Sequence, residues 1–129
     1  RATELLASEM PVILAGDFDV IPQDIDCYDP PGWEGDALTR PESRAEFMKL
    51  EYAGYTDAIR ACHPGQVMYS YWDYQAGAWQ KDNGVRIDRL MPSPEAAGRI
   101  VGAGVDKRPR GEEKPSDHTP VWVELSDPA

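Results

Sequence analysis

Five side chains that could take part in catalysis or bind a metal occur at three separate places along the sequence. Each lies near the predicted end of a strand or in a loop. Carboxylate oxygens are the ligands that Mg²⁺ and Mn²⁺ prefer, and an imidazole can hold or release a proton near neutral pH. Hydrolysis of a phosphodiester needs a cation against developing charge, a group that orients water and a proton-bearing group near the phosphate. Together the five side chains supply these types and predict a metal-dependent site for phosphate chemistry. They are Asp17, Asp19, Asp88, Asp117 and His118.

Asp17 and Asp19 follow the apolar run 11–15 and are separated by one residue. In an extended chain, side chains two positions apart point the same way. Two carboxylates on one side repel each other unless a cation lies between them, so the pair indicates a metal site. The alternative is a simple turn after a strand, since Gly16 and Asp17 are both common turn residues.

Asp88 and the pair Asp117–His118 each allow two interpretations. Asp88 lies within a predicted strand, where it either forms a salt bridge with Arg86 or Arg89 or orients an imidazole and so fixes its tautomer. Asp117 and His118 are adjacent and point to opposite sides of an extended chain, so one can bind a metal while the other faces a phosphate. An exposed surface pair without a function is the alternative.

The composition is that of one globular domain with a modest core. The chain has 129 residues, of which 41% are hydrophobic and 28% charged, and no apolar run approaches the ~20 residues that a membrane span needs. Its formal net charge of −10 argues against a broad basic face for nucleic acid, although a hydrolase that binds cations keeps acidic groups in its cleft. We expect Cys27 and Cys62 to be reduced thiols in a cytoplasmic protein, with one structural disulfide as the alternative.

The hydrophobic pattern predicts an α/β fold with a mixed, mostly antiparallel sheet and flanking helices. The run 11–15 is apolar at every position and is therefore expected to be buried on both faces. Ser43 and Glu46 match a capping box, which predicts that a helix opens at Ser43. Residues 22–41 are rich in Pro, Gly and Asp and predict a long structured loop. Strands are predicted over residues 11–15, 68–74, 85–91, 100–106 and 119–125. Helices are predicted over 1–9, from 43 and from 94, with a turn and short helix at 55–60.

Four segments, in this order, resemble the exonuclease–endonuclease–phosphatase superfamily, and most closely its exodeoxyribonuclease III-like group of DNA-repair nucleases. A single such motif is a weak signal, whereas four in register are specific, and the likeness extends over essentially the whole chain. The motifs are LAGDFDVIP at 14–22, YSYWDY at 69–74, NGVRIDRL at 83–90 and KPSDHTPV at 114–121.

The resemblance implies a role for each candidate residue. Asp17 would orient or deprotonate the attacking water, and His118 would contact the scissile phosphate while hydrogen-bonded to Asp88. Asp19 stands where the family usually has asparagine, so a carboxylate replaces an amide that helps to hold water and phosphate. The implied ligands of Mg²⁺ or Mn²⁺ are Asp17, Asp19, Asp117 and His118. The residues implied to bind substrate are Tyr71, Trp72, Trp79, Val85, Arg86 and Ile87.

The resemblance also implies an activity and an extent. Proteins of this superfamily consist of two similar halves whose sheets pack face to face with helices outside, and residues 1–129 resemble the C-terminal half. The complete protein would be a metal-dependent phosphodiesterase that cuts double-stranded DNA at abasic sites and trims 3′ ends. The N-terminal half, or another copy of the chain, would cover the sheet, so we expect residues 1–129 alone to be a poor nuclease. The alternatives are a phosphatase or phosphodiesterase of the same superfamily with a non-nucleic substrate, and a non-catalytic scaffold on the same fold.

Overall fold

The protein is described by a computed structural model, which covers residues 1–128. It confirms the predicted α/β fold with antiparallel strands: β1 pairs with β2, and β3 pairs with β4. Within these residues, no helix is long and apolar enough to cross a membrane. The helices are α1 (Ala2–Ala7), α2 (Pro41–Ala53), α3 (Ala58–Cys62) and α4 (Pro94–Ala97), and the strands are β1 (Ile13–Asp17), β2 (Asp88–Pro92), β3 (Ile100–Val105) and β4 (Val121–Leu125).

The predicted strand 68–74 is found only as isolated pairing around Tyr71, which bridges both Val85 and His118. The amides of Ser70 and Tyr71 both donate to the carbonyl of Val85, at 3.0 and 3.1 Å. Because two successive amides share one carbonyl, a regular ladder cannot continue there. The segment nevertheless lies between the chain that leads into β2 and the chain that leads into β4.

The prediction that the run 11–15 is buried on both faces is wrong. Leu14 packs against the cluster around Met91 and Phe47, on the side that α2 covers. Ile13 and Ala15 alternate with Leu14 and are exposed. Among the described residues, helices cover only one face of β1, and an apolar sequence cannot tell which of its faces finds a partner.

Helix α2 begins two residues before the predicted start, with Pro41 in its first position and Arg40 before it. The fixed backbone angle of proline suits the first turn of a helix, and its missing amide proton would have had no partner there. This preference prevails over the capping-box pattern, and the hydroxyl of Ser43 instead donates to the carbonyl of Ala37 at 3.4 Å. The predicted stop is confirmed, since Gly54 ends the helix at a φ of +130°.

The long loop 22–41 is ordered by three short 3₁₀ turns. Within the segment predicted as a turn and short helix, α3 begins at Ala58, and the side chain of Asp57 accepts a hydrogen bond from the amide of Arg60 at 3.3 Å. This helix packs on β3, and the inward side chains of β4, among them Val121 and Val123, join the same apolar cluster. The two cysteines, Cys27 and Cys62, are free thiols, as expected.

Candidate active site

Asp17 and Asp88 lie directly opposite each other at the open end of the β1–β2 pair. Cross-strand neighbours point to the same face of a sheet, and like charges in that position destabilise it. Asp17 is the last residue of β1 and is exposed, whereas Asp88 is the first residue of β2 and is half-buried. A cationic partner would relieve this repulsion, so the strand register itself brings together two acidic groups that call for one.

His118 completes the group. Its Nδ1 lies 2.8 Å from Oδ2 of Asp88, and its Nε2 lies 3.8 Å from Oδ2 of Asp17. One ligand atom from each of the three residues falls within 4.8 Å of the other two. The two carboxylates supply oxygen ligands of the kind that Mg²⁺ and Mn²⁺ prefer, so they fit the implied metal. Nδ1 of His118 is already engaged by Asp88.

The contact with Asp88 determines the pKa of His118 and the ring nitrogen that carries its proton. Burial lowers the pKa of His118, but the hydrogen bond to Asp88 and the charges of Asp88, Asp17 and Asp117 outweigh it, so that the pKa lies above its usual value. In the neutral ring, Nδ1 donates to Asp88 and Nε2 is left as the acceptor that faces Asp17. The protonated ring carries a second N–H at that position. His118 can therefore hold or give a proton on the side where Asp17 lies.

Asp19 and Asp117 stand at the rim of this group. The amide of Asp19 donates to Oδ1 of Asp17 at 2.9 Å, and Asp19 adopts a left-handed φ of +50°. The negative charge of Asp17 raises the pKa of the Asp19 carboxyl. Oδ1 of Asp117 lies 4.0 Å from Nε2 of His118. The close cluster thus contains Asp88, which the sequence did not suggest as a metal ligand, whereas Asp19 and Asp117 stay predicted ligands.

Tyr71 brings an aromatic ring to the site, with its edge against His118 at 5.1 Å between ring centres. Beside it opens a cavity of about 220 Å³ whose lining includes Tyr71 and the edge of Val85, which has only 1% of its surface exposed. Two further rings, Tyr28 and Trp33, line the same cavity and meet edge to face at 6.5 Å. The sequence did not single out these two residues, because they stand in the loop 22–41, which carries no motif of its own.

Other residues predicted to bind substrate are placed deeper. Trp72 is fully buried and donates from its indole nitrogen to Asp82 at 2.9 Å. Trp79 is half-buried and packs edge to face against Trp72 at 4.9 Å. Ile87 and Arg86 are also buried, with 5% and 1% of their surface exposed. A direct contact between a substrate and Trp72 or Arg86 would require these side chains to leave their present partners.

A cluster of buried charges behind the site explains the position of Arg86. Its guanidinium donates to Asp26 at 2.9 Å and to both oxygens of Asp57 at 3.0 and 2.8 Å. Arg60 donates to Asp26 at 2.8 Å. Arg89 lies 3.4 Å from a carboxylate oxygen of each aspartate without forming a hydrogen bond to either. Burial and the charge of Arg86 lower the pKa of Arg89 to about 10, so it stays protonated near neutral pH.

Comparison with known proteins agrees with this geometry. The sequence profile of the endonuclease/exonuclease/phosphatase family matches residues 2–118. Exodeoxyribonuclease III of Haemophilus influenzae is 32% identical over 122 residues, which cover 89% of this chain and 46% of that protein. An exodeoxyribonuclease of Bacillus subtilis is 34% identical over 117 residues, covering 90% of this chain and 45% of that one. The chain thus spans about half the length of these relatives.

Solved structures give the same picture. A 3′ phosphatase from Neisseria, bound to a product DNA hairpin, has a TM-score of 0.89 at 36% identity and is matched over 96% of this chain and 50% of its own. An AP endonuclease from Archaeoglobus fulgidus has a TM-score of 0.90 at 28% identity, over 98% of this chain and 51% of its own. With its four motifs, its antiparallel α/β fold and its acidic site, the chain belongs to the endonuclease/exonuclease/phosphatase family and is similar to the exodeoxyribonuclease III group of DNA-repair nucleases.

Proposed function

We propose that the complete protein containing this chain is a Mg²⁺-dependent DNA phosphodiesterase that cuts the backbone at abasic sites and trims 3′ ends in DNA repair. The observation that carries the proposal is the grouping of Asp17, Asp88 and His118 within 4.8 Å. The group offers acidic oxygens and a proton-bearing ring and lies at the protein surface, where a phosphate can enter. Relatives named as exodeoxyribonucleases support a nucleic acid as substrate.

Each side chain has a task in this proposal. Asp17 would orient or deprotonate the attacking water, and Asp88 would hold Nδ1 of His118 so that Nε2 points to the phosphate. A protonated Nε2 would donate to a phosphate oxygen as negative charge develops on it. A bound divalent cation would neutralise part of that charge. The carboxylates of Asp17, Asp19 and Asp117 would hold it, with Asp88 beside them. His118 was also predicted as a ligand, but in this proposal both of its ring nitrogens act as N–H donors, so it would not bind the cation.

The cavity beside Tyr71 supports a nucleotide as the substrate. Its volume of about 220 Å³ and its aromatic walls suit a sugar or a base that has been flipped out of the DNA double helix. Tyr71 lines this cavity and also touches His118, so an occupant would lie next to the phosphate site. We therefore place Tyr71 and Val85 in the substrate pocket and keep Trp72, Arg86 and Ile87 as supports behind it. Trp79 would approach DNA from the neighbouring loop.

Removal of a 3′ phosphate from DNA is a second candidate activity. The Neisseria neighbour with a TM-score of 0.89 is described as a 3′ phosphatase bound to a DNA product. The same groups would serve both reactions, since each displaces an oxygen from phosphorus with water as the nucleophile. The two activities differ in what is attached to the phosphate and are separated by the choice of substrate.

We further propose that residues 1–129 correspond to the C-terminal half of such an enzyme and act in the cytoplasm. The exposed apolar residues Ile13 and Ala15 share their face of β1 with Asp17. An N-terminal half, or a second copy of the chain, would cover this face and supply the remaining groups of the site. Residues 1–129 alone are then expected to be a poor nuclease.

The test compares full-length protein with residues 1–129 on three labelled DNA substrates: a duplex with one abasic site, a recessed 3′ end and a 3′-phosphate end. We expect full-length protein with Mg²⁺ to cut the abasic strand, to stop when EDTA is added, and to lose about 10³-fold or more in rate on Asp17→Asn. Glu95→Gln, at an exposed position in α4 beyond the far end of β2, is the matched control. Cleavage that survives EDTA or Asp17→Asn would contradict the proposal, and equal activity of 1–129 would contradict the need for a second half.

A further inference from the structure

Ser70 is fully buried, and its hydroxyl forms hydrogen bonds with the chain at the start of β2, where Asp88 lies. Its Oγ accepts hydrogen bonds from the amide of Ile87 at 3.2 Å and from the amide of Asp88 itself at 3.1 Å. A hydroxyl oxygen has two lone pairs and can satisfy both donors at once. Two successive backbone amides at the start of β2 thus depend on one side-chain atom.

The backbone of Ser70 is engaged at the same time on both sides. Its amide donates to the carbonyl of Val85 at 3.0 Å, and its carbonyl accepts from the amide of Thr119 at 2.9 Å. Thr119 is the residue after His118. Ser70 is therefore bound to the segment that carries Asp88 and to the segment that carries His118.

The hydrogen bond between Asp88 and His118 spans the same two segments. Oδ2 of Asp88 and Nδ1 of His118 are 2.8 Å apart, although the residues belong to chain segments that reach this place from different directions. Phe18, which follows Asp17, donates its amide to the carbonyl of Ile87 at 3.0 Å. A shift of the chain at residues 87–88 would therefore move Asp88 relative to both His118 and Asp17.

We propose that Ser70 is a positioning residue that holds Asp88 against His118. Its hydroxyl fixes the backbone of residue 88, and its carbonyl fixes the backbone next to residue 118, so one residue sets the distance between the two partners. Alanine would keep the backbone contacts but leave the amides of Ile87 and Asp88 without their shared acceptor in the interior. The consequence for catalysis rests on the proposed function, whereas the consequence for the Asp88–His118 bond does not.

The experiment uses full-length protein with Ser70→Ala, Ser70→Thr and a control at Ser93. Ser93 is also fully buried, and its hydroxyl likewise accepts from a backbone amide, that of Val12 at 2.9 Å. It lies just beyond the other end of β2, away from the site. Ser93→Ala therefore removes the same kind of group and the same kind of hydrogen bond, and it controls for general destabilisation. If Ser70→Ala does not fold, Ser70→Cys, with its weaker acceptor, takes its place.

The first readout is the hydrogen bond itself, measured without turnover. In EDTA near neutral pH, nuclear magnetic resonance follows the proton on Nδ1 of His118, assigned by its loss in His118→Asn. We expect this proton to be protected in the parent protein, Ser70→Thr and Ser93→Ala, and to exchange about tenfold faster or more in Ser70→Ala, because the bond is no longer held in place. Unchanged protection in Ser70→Ala overturns the proposal, whether or not the protein proves to be a nuclease.

The second readout separates positioning from folding through the kinetics of phosphodiester cleavage. We expect Ser70→Ala to lower kcat about 10- to 100-fold with KM changed less than about twofold, since small misplacements of catalytic groups act on the transition state. Ser70→Thr should restore kcat to within about threefold. In an Asp88→Ala background, Ser70→Ala should have less than about a twofold further effect, because Ser70 acts through Asp88. An equal loss in both backgrounds overturns the proposal.

Discussion

Replacing Asp57 by alanine is expected to destabilise the protein strongly. Asp57 is 6% exposed and receives two hydrogen bonds from Arg86, at 3.0 and 2.8 Å. It also caps α3 through the amide of Arg60 and lies 3.4 Å from Arg89. Three guanidinium groups in this cluster face two carboxylates, so the loss of one carboxylate leaves buried positive charge without compensation.

The magnitude follows from these contacts. Breaking one side of a buried ion pair costs about 3–5 kcal/mol, and loss of a helix cap costs about 0.5–2 kcal/mol. Because both losses come from the same carboxylate, we expect a total of about 4–5 kcal/mol in the free energy of unfolding rather than the full sum. The control is Asp36→Ala, which removes an exposed side chain that accepts only from the amide of Leu38 at 2.9 Å; it should cost about 1 kcal/mol or less.

The assay is urea unfolding of the parent protein, Asp57→Ala and Asp36→Ala side by side, followed by tryptophan fluorescence and by circular dichroism. If Asp57→Ala costs no more than Asp36→Ala, the buried cluster does not hold the fold together as argued. The pH dependence gives a second check. Burial raises the pKa of Asp57, but the hydrogen bonds and charge of Arg86 and the charge of Arg89 outweigh it, so that the pKa is lowered. Its stabilisation is therefore present above the unfolded-state pKa of about 3.8 and is lost as pH falls through the lower folded-state value; Asp57→Asn should remove this acid-dependent loss.

Three further changes test the site and its support. Asp88→Asn should lower the pKa of His118, measured in EDTA by nuclear magnetic resonance, because the raised pKa owes most to Asp88 among its partners. The stabilisation from protonated His118 is present below about pH 6.5 and is lost as pH rises through the higher folded-state pKa, so over that rise the parent should lose more stability than the variant. Asp19→Asn in full-length protein should raise kcat/KM several-fold, since it removes a like charge, adds an N–H donor, suits a φ of +50° and keeps an oxygen that can bind the cation. A lower value would show that the carboxylate is needed as a ligand, and an equal value would refute the idea that its charge hinders catalysis. Gly84→Ala should cost about 1–3 kcal/mol in urea unfolding, because a β-carbon there would lie 2.7 Å from two aromatic side chains, whereas Gly98→Ala, with its nearest neighbour at 3.8 Å, should cost little.

The sequence predicted that the acidic residues group with His118, because they lie in four motifs that follow the order seen in the family. The sequence could not predict which atoms come within bonding distance, since that depends on strand register. Asp88 pairs with Asp17 only because β1 and β2 align residue 17 with residue 88, and no local pattern encodes this alignment. The sequence suggested Asp88 as an orienter of His118 but not as a member of the three-residue cluster. The two side chains do lie 2.8 Å apart, and the orienting role stays a prediction.

Burial was the harder part to anticipate. Arg86 and Trp72 lie in motifs that surround the site, which favoured a role in contact with substrate. Both are instead held in the interior by partners distant in sequence, Asp57 and Asp82. A charged or aromatic residue in a motif has the same appearance in sequence whether it touches a ligand or supports the residue that does, and only the tertiary contacts distinguish the two.

The open face of β1 and the site are parts of one surface, and this bears on the expected weakness of residues 1–129 as a nuclease. Ile13, Ala15 and Asp17 alternate along one face of the strand and are all exposed. Any structure that covers Ile13 and Ala15 comes close to the carboxylate of Asp17. Such a cover would exclude water from one side of the site and strengthen its electrostatic interactions. If the proposed N-terminal half is this cover, its addition should raise kcat even under conditions where residues 1–129 are fully folded, because it acts at Asp17 in addition to any effect on folding.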